Sequence, residues 1–194
     1  MKWQILIPSI EKRSGQLAEL KKELFKQIME CGCLPFIDVI SLIDSSIIKI
    51  GAKRNRLLEL ATADYVSFFD DDDLPASCYI KRNMEGIDKG VDCNSLIGVL
   101  TWEGTNPQPF EHSIKYKEYK TVHAGRSVMH ERYPNHLNVI KSSIAKQFKF
   151  PEINNGEDTD WATQIFRSGL IKTEHEILET IYHYRFNTTS VQLL

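Results

Sequence analysis

No apolar run in this 194-residue chain approaches the roughly 20 residues that a membrane-spanning helix needs. Charge of one sign is lacking too. A formal net charge of -2 excludes a global polycation that nucleic acid or an anionic membrane would attract by charge alone. Paired C-x-x-C units are absent: Cys31 and Cys33 form a C-x-C, while Cys78 and Cys93 stand alone. That spacing argues against a structural zinc site and for free thiols. Neither G-x-x-x-x-G-K-[ST] nor G-x-G-x-x-G occurs, so a phosphate-cradling glycine loop is not the device in use. Met1–Ile7 has no charged-then-apolar pattern of a secretory signal and runs straight into Pro8, so a reduced, cytoplasmic setting is expected. Repeats, low-complexity tracts and linkers are missing as well, which predicts one domain over residues 1–194.

What is present is a globular composition. Hydrophobic residues make up 42% and charged residues 26%, enough apolar content to exclude wholesale disorder. The run Trp3–Ile7 before Pro8 predicts a buried first strand. A helix follows from Ser14, with Leu17, Leu20, Leu24 and Ile28 at steps of three and four and Gly32 as its stop. Phe36–Ile43 predicts a second strand, the stretch from Gly51 a second helix, and Tyr65–Phe69 a third strand. Pro75 suits the first turn of a third helix carrying Ile80, Met84 and Ile87. This β-α alternation implies a mostly parallel sheet with helices on both faces. Such sheets bind ligands outside the carboxyl ends of their strands. Pro8–Arg13, Asp44–Ser46 and Asp70–Asp73 lie there.

Beyond Cys93 the pattern changes to a smaller mixed β region. Leu96–Trp102 reads as a strand, Thr105–Phe110 as a proline-bearing loop, and Ile114–Val122 as a β element. Lys141–Phe148 and Asp158–Ser168 read as helices, and Thr180–Arg185 as a last strand.

Asp70-Asp71-Asp72-Asp73 is the central feature. Four carboxylates at the end of an apolar strand repel one another unless a cation neutralises them. Hard carboxylate oxygens suit Mg²⁺ or Mn²⁺, with substrate phosphate oxygens completing the shell. An EF-hand is excluded, because Pro75 or Ala76 stands where its glycine belongs and Lys81 or Arg82 where its bidentate Glu belongs.

Gly51–Arg56, Ala61–Val66 and Phe69–Asp73 together resemble family 2 glycosyltransferases of the GT-A fold, with their Gly and Arg-Asn segment (here Gly51-Ala52-Lys53-Arg54-Asn55), strand and Asp-x-Asp-Asp. The likeness resumes at Pro134–Lys141 and at Gly156-Glu157-Asp158-x-Asp160-Trp161, similar to the family's Glu-Asp motif at the head of a helix. It implies a small, soluble, non-processive GT-A glycosyltransferase. Residues 1–92 would form the nucleotide-sugar-binding half and residues 93–194 the acceptor side. The resemblance makes Asp72 the direct metal ligand for Mn²⁺ or Mg²⁺, with Asp70 nearer the ribose and His183 a further candidate ligand. Pro8, Ser9, Asp44, Arg54, Asp70 and Asp71 are implied at the nucleotide; the second Asp and the Gly usual after Asp44 are missing, which leaves the base open. Asp158, with Glu157 beside it, is implied as the general base. A helix N-terminus keeps such a carboxylate ionised; capping is the competing role.

The partners so implied are a nucleotide-diphosphate sugar, UDP-sugar favoured, and a hydroxyl acceptor: a glycan, a small molecule or a modified nucleic acid. His136 and Asn138 are candidates for the acceptor side, and Trp102 and Trp161 for stacking on a sugar. The basic excess over Lys115–Lys149, with His123, His130 and His136, fits either an anionic acceptor or a solvated surface. Gln164-x-x-Arg167 lacks the Trp of processive synthases, since Ser168 follows. Two alternatives stay open. One is a haloacid-dehalogenase-type phosphatase, although Leu74 stands where that family wants Thr or Val. The other is a non-catalytic sugar- or nucleotide-binding module.

Overall fold

The computed structural model describes residues 1–125 and 127–186. Its elements run β1 (Trp3–Ile10), a 3-10 turn (Glu11–Arg13), α1 (Ser14–Glu30), β2 (Ile37–Asp44), α2 (Ile50–Leu60), β3 (Tyr65–Phe68), β4 (Leu74–Pro75), α3 (Tyr79–Lys89), β5 (Cys93–Asn94), β6 (Leu96–Trp102), β7 (Thr105–His112), β8 (Lys120–Ala124), β9 (Ser127–Arg132), β10 (Ile140–Lys141), α4 (Ser142–Ala145), α5 (Glu157–Ser168), β11 (Glu174–His175) and β12 (Thr180–Phe186).

β1 is buried along its whole length because it lies between β2 and β3, parallel to both, and is covered on both faces. A strand in that position must be a continuous apolar run, which is how Trp3–Ile7 reads. The parallel register carries the carboxyl ends of these three strands to one edge, where Ile10 sits beside Asp44 and Leu6 beside Phe68. The first sheet has the order β11-β5-β10-β3-β1-β2, with β10 antiparallel to both β3 and β5. The second has the order β4-β12-β6-β7-β9-β8 and mixes both senses. One buried apolar cluster joins them, from Trp3, Ile5 and Leu20 through Phe69 and Tyr79 to Phe110, Ile181 and Tyr182. Among the described residues no helix is long and apolar enough to cross a membrane.

Several expectations need correction. The mixed β region is not smaller, since each sheet has six strands. Thr105–Phe110 is no loop but most of β7. β7 meets β9 only at Phe110–His112, so Pro107 and Pro109 lie along an open edge where a missing N–H breaks no ladder. Ile114–Val122 becomes a strand only from Lys120, and β9 gave no clear signal. Pro75 does not start a helix: Leu74 and Pro75 pair with His183 and Tyr182 at the outer edge of the second sheet, and α3 begins at Tyr79.

Candidate active site

The segment Gly51–Asn55 ties the strand edge to the head of α5. A Cβ on Gly51 would lie 1.9 Å from the Pro151 carbonyl oxygen, so only glycine allows this approach of α2 to the preceding loop of α5. Asn55 clasps Phe150 by donating from Nδ2 to its carbonyl and accepting its N–H at Oδ1, both at 2.9 Å. Arg54, between them, donates from Nη2 to Asp70 Oδ1 at 2.9 Å and lies 3.6 Å from Glu157 Oε1 through Nε. Its guanidinium sits over the rings of Phe68 and Phe150 at 5.5 and 5.8 Å.

The four aspartates separate into different roles. Burial alone would raise the Asp70 carboxyl, but Arg54 and His136 outweigh it and hold it well below the usual carboxylate range. Asp71 accepts from Ser9 Oγ at 2.6 Å and from Arg13 Nη1 at 2.9 Å; burial still leaves it raised. Asp73 turns away, taking the Tyr182 hydroxyl at 2.6 Å and the Arg185 amide at 2.8 Å, and burial beside Asp72 and Asp70 pushes it far up. Among the described residues the one ion-pair partner of Asp72 is Arg13, which it shares with Asp71, at 3.3 Å. Burial, opposed by Arg13 and reinforced by Asp70 and Asp71, raises it to about 6. Negative charge here exceeds its cationic partners at Asp72.

Across the edge, His136 is buried between two carboxylates: Nε2 is 3.5 Å from Asp70 Oδ2, and Nδ1 is 3.7 Å from Asp158 Oδ2. Asp158 occupies the first turn of α5, whose entry is made by Gly156 at a φ of +82°. Burial raises Asp158, yet His136 and Arg54 outweigh it and hold the carboxyl below its ordinary value. Glu157 is 5% exposed and raised, burial exceeding the pull of Arg54.

These groups line a cleft of about 450 Å³ at the carboxyl edge of β1 and β3. Pro8, Arg54, Asp70, Asp71, Asp72, Glu157, Asp158 and His136 all line it. Trp102 and Phe186, with ring centroids 4.2 Å apart, line it too. A smaller cavity of about 60 Å³ adjoins it, sharing Pro8, Arg13, Ile50 and Asn154, and Ser9 lines that one.

Other expected residues fall elsewhere. Asp44 lines neither cavity: its carboxylate pairs with Lys53 and accepts the amides of Ile47 and Ile48, which closes the turn after β2. His183 is exposed and lines neither cavity, because strand alternation puts it on the opposite face from the neighbouring Tyr182 and Tyr184. Trp161 is 2% exposed and stacked on Phe150 in the core, and Asn138 is a buried scaffold residue holding His112 and Asn135. Arg13, His112, Arg132 and Arg185 line the cleft without having been singled out as site residues, and so does His130, named only within the basic stretch Lys115–Lys149. Arg13 was legible only as part of a polar segment at a strand end; the others belong to strands of the second sheet, whose pairing no local pattern announces.

A divalent cation fits this donor set in one way only. Among the described residues no group of three potential protein ligands converges. Asp72 nevertheless carries surplus charge in a partly dry setting, with Asp70 adjoining. One or two carboxylates with the rest of the shell from phosphate and water is the binding mode of Mg²⁺ and Mn²⁺ at nucleotides.

His112 carries a pH signature. It is 1% exposed, and burial together with Arg132 lowers it to about 3 from 6.5. Between those values the unfolded chain binds a proton that the native state refuses, so this residue makes stability fall as pH falls through the window, by about 1.4 kcal/mol per unit. Asp72 acts oppositely: the native carboxyl keeps its proton up to about 6, so its contribution falls as pH rises from 3.8 to 6. Urea denaturation of His112→Asn against the parent, from pH 3.5 to 7, should therefore show a flatter acid-side loss in the variant. Equal slopes would mean that His112 titrates normally.

No protein-family model matches the sequence, and no curated protein matches it. Solved structures do resemble it. Staphylococcus aureus TarS, residues 1–349 in complex with UDP-GlcNAc, aligns at 16% identity with a TM-score of 0.62 over 96% of this chain and 59% of that one. The same protein in complex with UDP gives 18% identity and a TM-score of 0.63 over 96% and 61%. The catalytic domain of Drosophila β1,4-galactosyltransferase 7, in complex with xylobiose, gives 12% identity and a TM-score of 0.54 over 93% and 68%. This chain thus spans about six-tenths of the TarS fragment. The architecture built by these two sheets and their helices is the GT-A glycosyltransferase fold.

Proposed function

We propose that this protein moves a sugar from a nucleotide-diphosphate sugar, with UDP as the favoured nucleotide, to an acceptor hydroxyl with inversion at the anomeric carbon. The observation that carries the reading is the pairing on one cleft of Asp72, with its surplus charge, and the ionised Asp158 at the head of α5, linked through Asp70 and His136. Structures of this fold in complex with UDP and UDP-GlcNAc support the choice of donor. The fold also favours this reading over the phosphatase alternative.

Asp72, with Asp70 beside it, would hold a Mn²⁺ or Mg²⁺ ion that neutralises the diphosphate and improves it as a leaving group. Buried Arg54 turns Nε toward Glu157, and its Nη1 has no hydrogen-bond partner among the described residues, so Nη1 can donate to the incoming ligand. Asp44 is engaged by Lys53 and lines neither cavity, so base contacts in the adjoining small cavity would rest on the groups that do line it, such as Ser9, Ser46 and Lys53. Asp158 takes the proton of the acceptor hydroxyl while that oxygen attacks the anomeric carbon. The bond from that carbon to the diphosphate oxygen breaks, and the nucleoside diphosphate leaves with the electron pair. Trp102 and Phe186 offer an apolar wall against which a sugar can pack. The unpaired thiols keep the cytoplasmic setting as part of this reading.

Calorimetric titration with UDP, GDP, CDP and dTDP, each with Mn²⁺ and with chelator, tests the donor half. We expect UDP to bind only with metal, and Asp72→Asn to weaken it at least about tenfold. A folded protein that binds none of the four would end the transferase reading and return attention to a non-catalytic module.

A further inference from the structure

The wall of the cleft made by β7 and β9 has chemistry that the donor reading leaves unused. His112 and Arg132 are register partners on these strands, and both line the cleft. Asn138 has its amide orientation set by donating from Nδ2 to the Asn94 carbonyl and by accepting the Asn135 amide at Oδ1. That oxygen lies 3.1 Å from His112 Nδ1, so Nδ1 must carry the proton. Nε2 of His112 then presents a lone pair, buried and without a hydrogen-bond partner among the described residues. It can accept a hydrogen bond only from a donor such as a hydroxyl. Arg132 lies over the Tyr119 ring at 5.2 Å, and Tyr119 packs on Tyr133 at 4.4 Å, which fixes the guanidinium. Among the described residues no carboxylate forms an ion pair with it. Asp158 lines the same cleft, and it and Arg132 both act electrostatically on His112 and on Tyr119.

We infer that the acceptor is a hydroxylated molecule bearing a phosphate or carboxylate, its anionic group bound by Arg132 and a hydroxyl donated to His112 Nε2. This rests on the transferase reading and names its acceptor class. An anion near Asp158 would meet repulsion unless a cation intervened, and Arg132 is the cleft cation positioned for that. A neutral sugar would leave this guanidinium without use.

The test is titration of glucose, glucuronate and glucose 6-phosphate into protein saturated with UDP and Mn²⁺, which keeps anions out of the donor end. We expect a charged probe to bind at least about tenfold tighter than glucose. The better of the two shows whether carboxylate or phosphate is the group read. Arg132→Gln should abolish the preference, and Arg132→Lys should keep part of it, with UDP affinity unchanged in both and both variants folded at the assay temperature. If UDP binds but the charged probes gain nothing over glucose, or their gain survives Arg132→Gln, the inference is overturned and the donor reading stands. If none of the four nucleoside diphosphates binds, both fall together.

Discussion

Asp158→Asn should lower sugar transfer by about three orders of magnitude while leaving metal-dependent UDP binding within about twofold of the parent. The asymmetry follows from position. Asp158 sits at the amino end of α5, held ionised because His136 and Arg54 overcome the cost of its burial. The helix dipole favours the same charge state. Asparagine keeps the shape and removes the proton acceptor. Glu157→Gln is the matched control: that carboxylate is more deeply buried and sits against Arg54, so its loss should act mainly through stability. Steady-state rates and calorimetry on both variants separate the roles. An Asp158→Asn enzyme with nearly normal turnover would remove this residue as the base.

Arg54→Ala should cost about 3–5 kcal/mol, because it leaves buried negative charge without its partner. Arg54 is 4% exposed and contacts both Asp70 and Glu157. The pH dependence identifies the cause. Asp70 is depressed in the native state, so its contribution is present above the ordinary carboxylate value of 3.8 and is lost as pH falls through the native value. Without Arg54 that acid-side loss should shrink, while the deficit at pH 7 is largest. Urea denaturation at pH 7 and at pH 2.5, inside that window, measures both. A deficit that is the same at both pH values would point to lost packing on Phe68 and Phe150 instead.

Much of the first ninety residues could be read locally. Trp3–Ile7 as a strand, the Leu17–Ile28 periodicity, and an acidic cluster directly after an apolar strand all depend on neighbours within a turn or a strand. Parallel β-α units then force strand ends to one edge, so Pro8, Asp70 and Asp72 meet as expected. Asp44 shows the limit of position as a guide: it stands at the right strand end, but Lys53 and two amides of its own turn engage it.

The second sheet was poorly legible for a physical reason. β7 contains two prolines yet is a strand, because the open edge beside them demands no N–H. β4, β5, β10 and β11 are two residues each and exist only through partners far away in the chain. His183 and Trp161 had suitable chemistry, but strand alternation turned one to solvent and ring stacking on Phe150 held the other in the core. The amino-acid sequence by itself determined the β-α order, the acidic edge and the Glu-Asp helix, since each arises from interactions among near neighbours. Which carboxylate keeps surplus charge, which histidine bridges Asp70 to Asp158, and which arginines of the second sheet line the cleft were decided by tertiary structure alone, because charge balance depends on distances between residues remote in sequence.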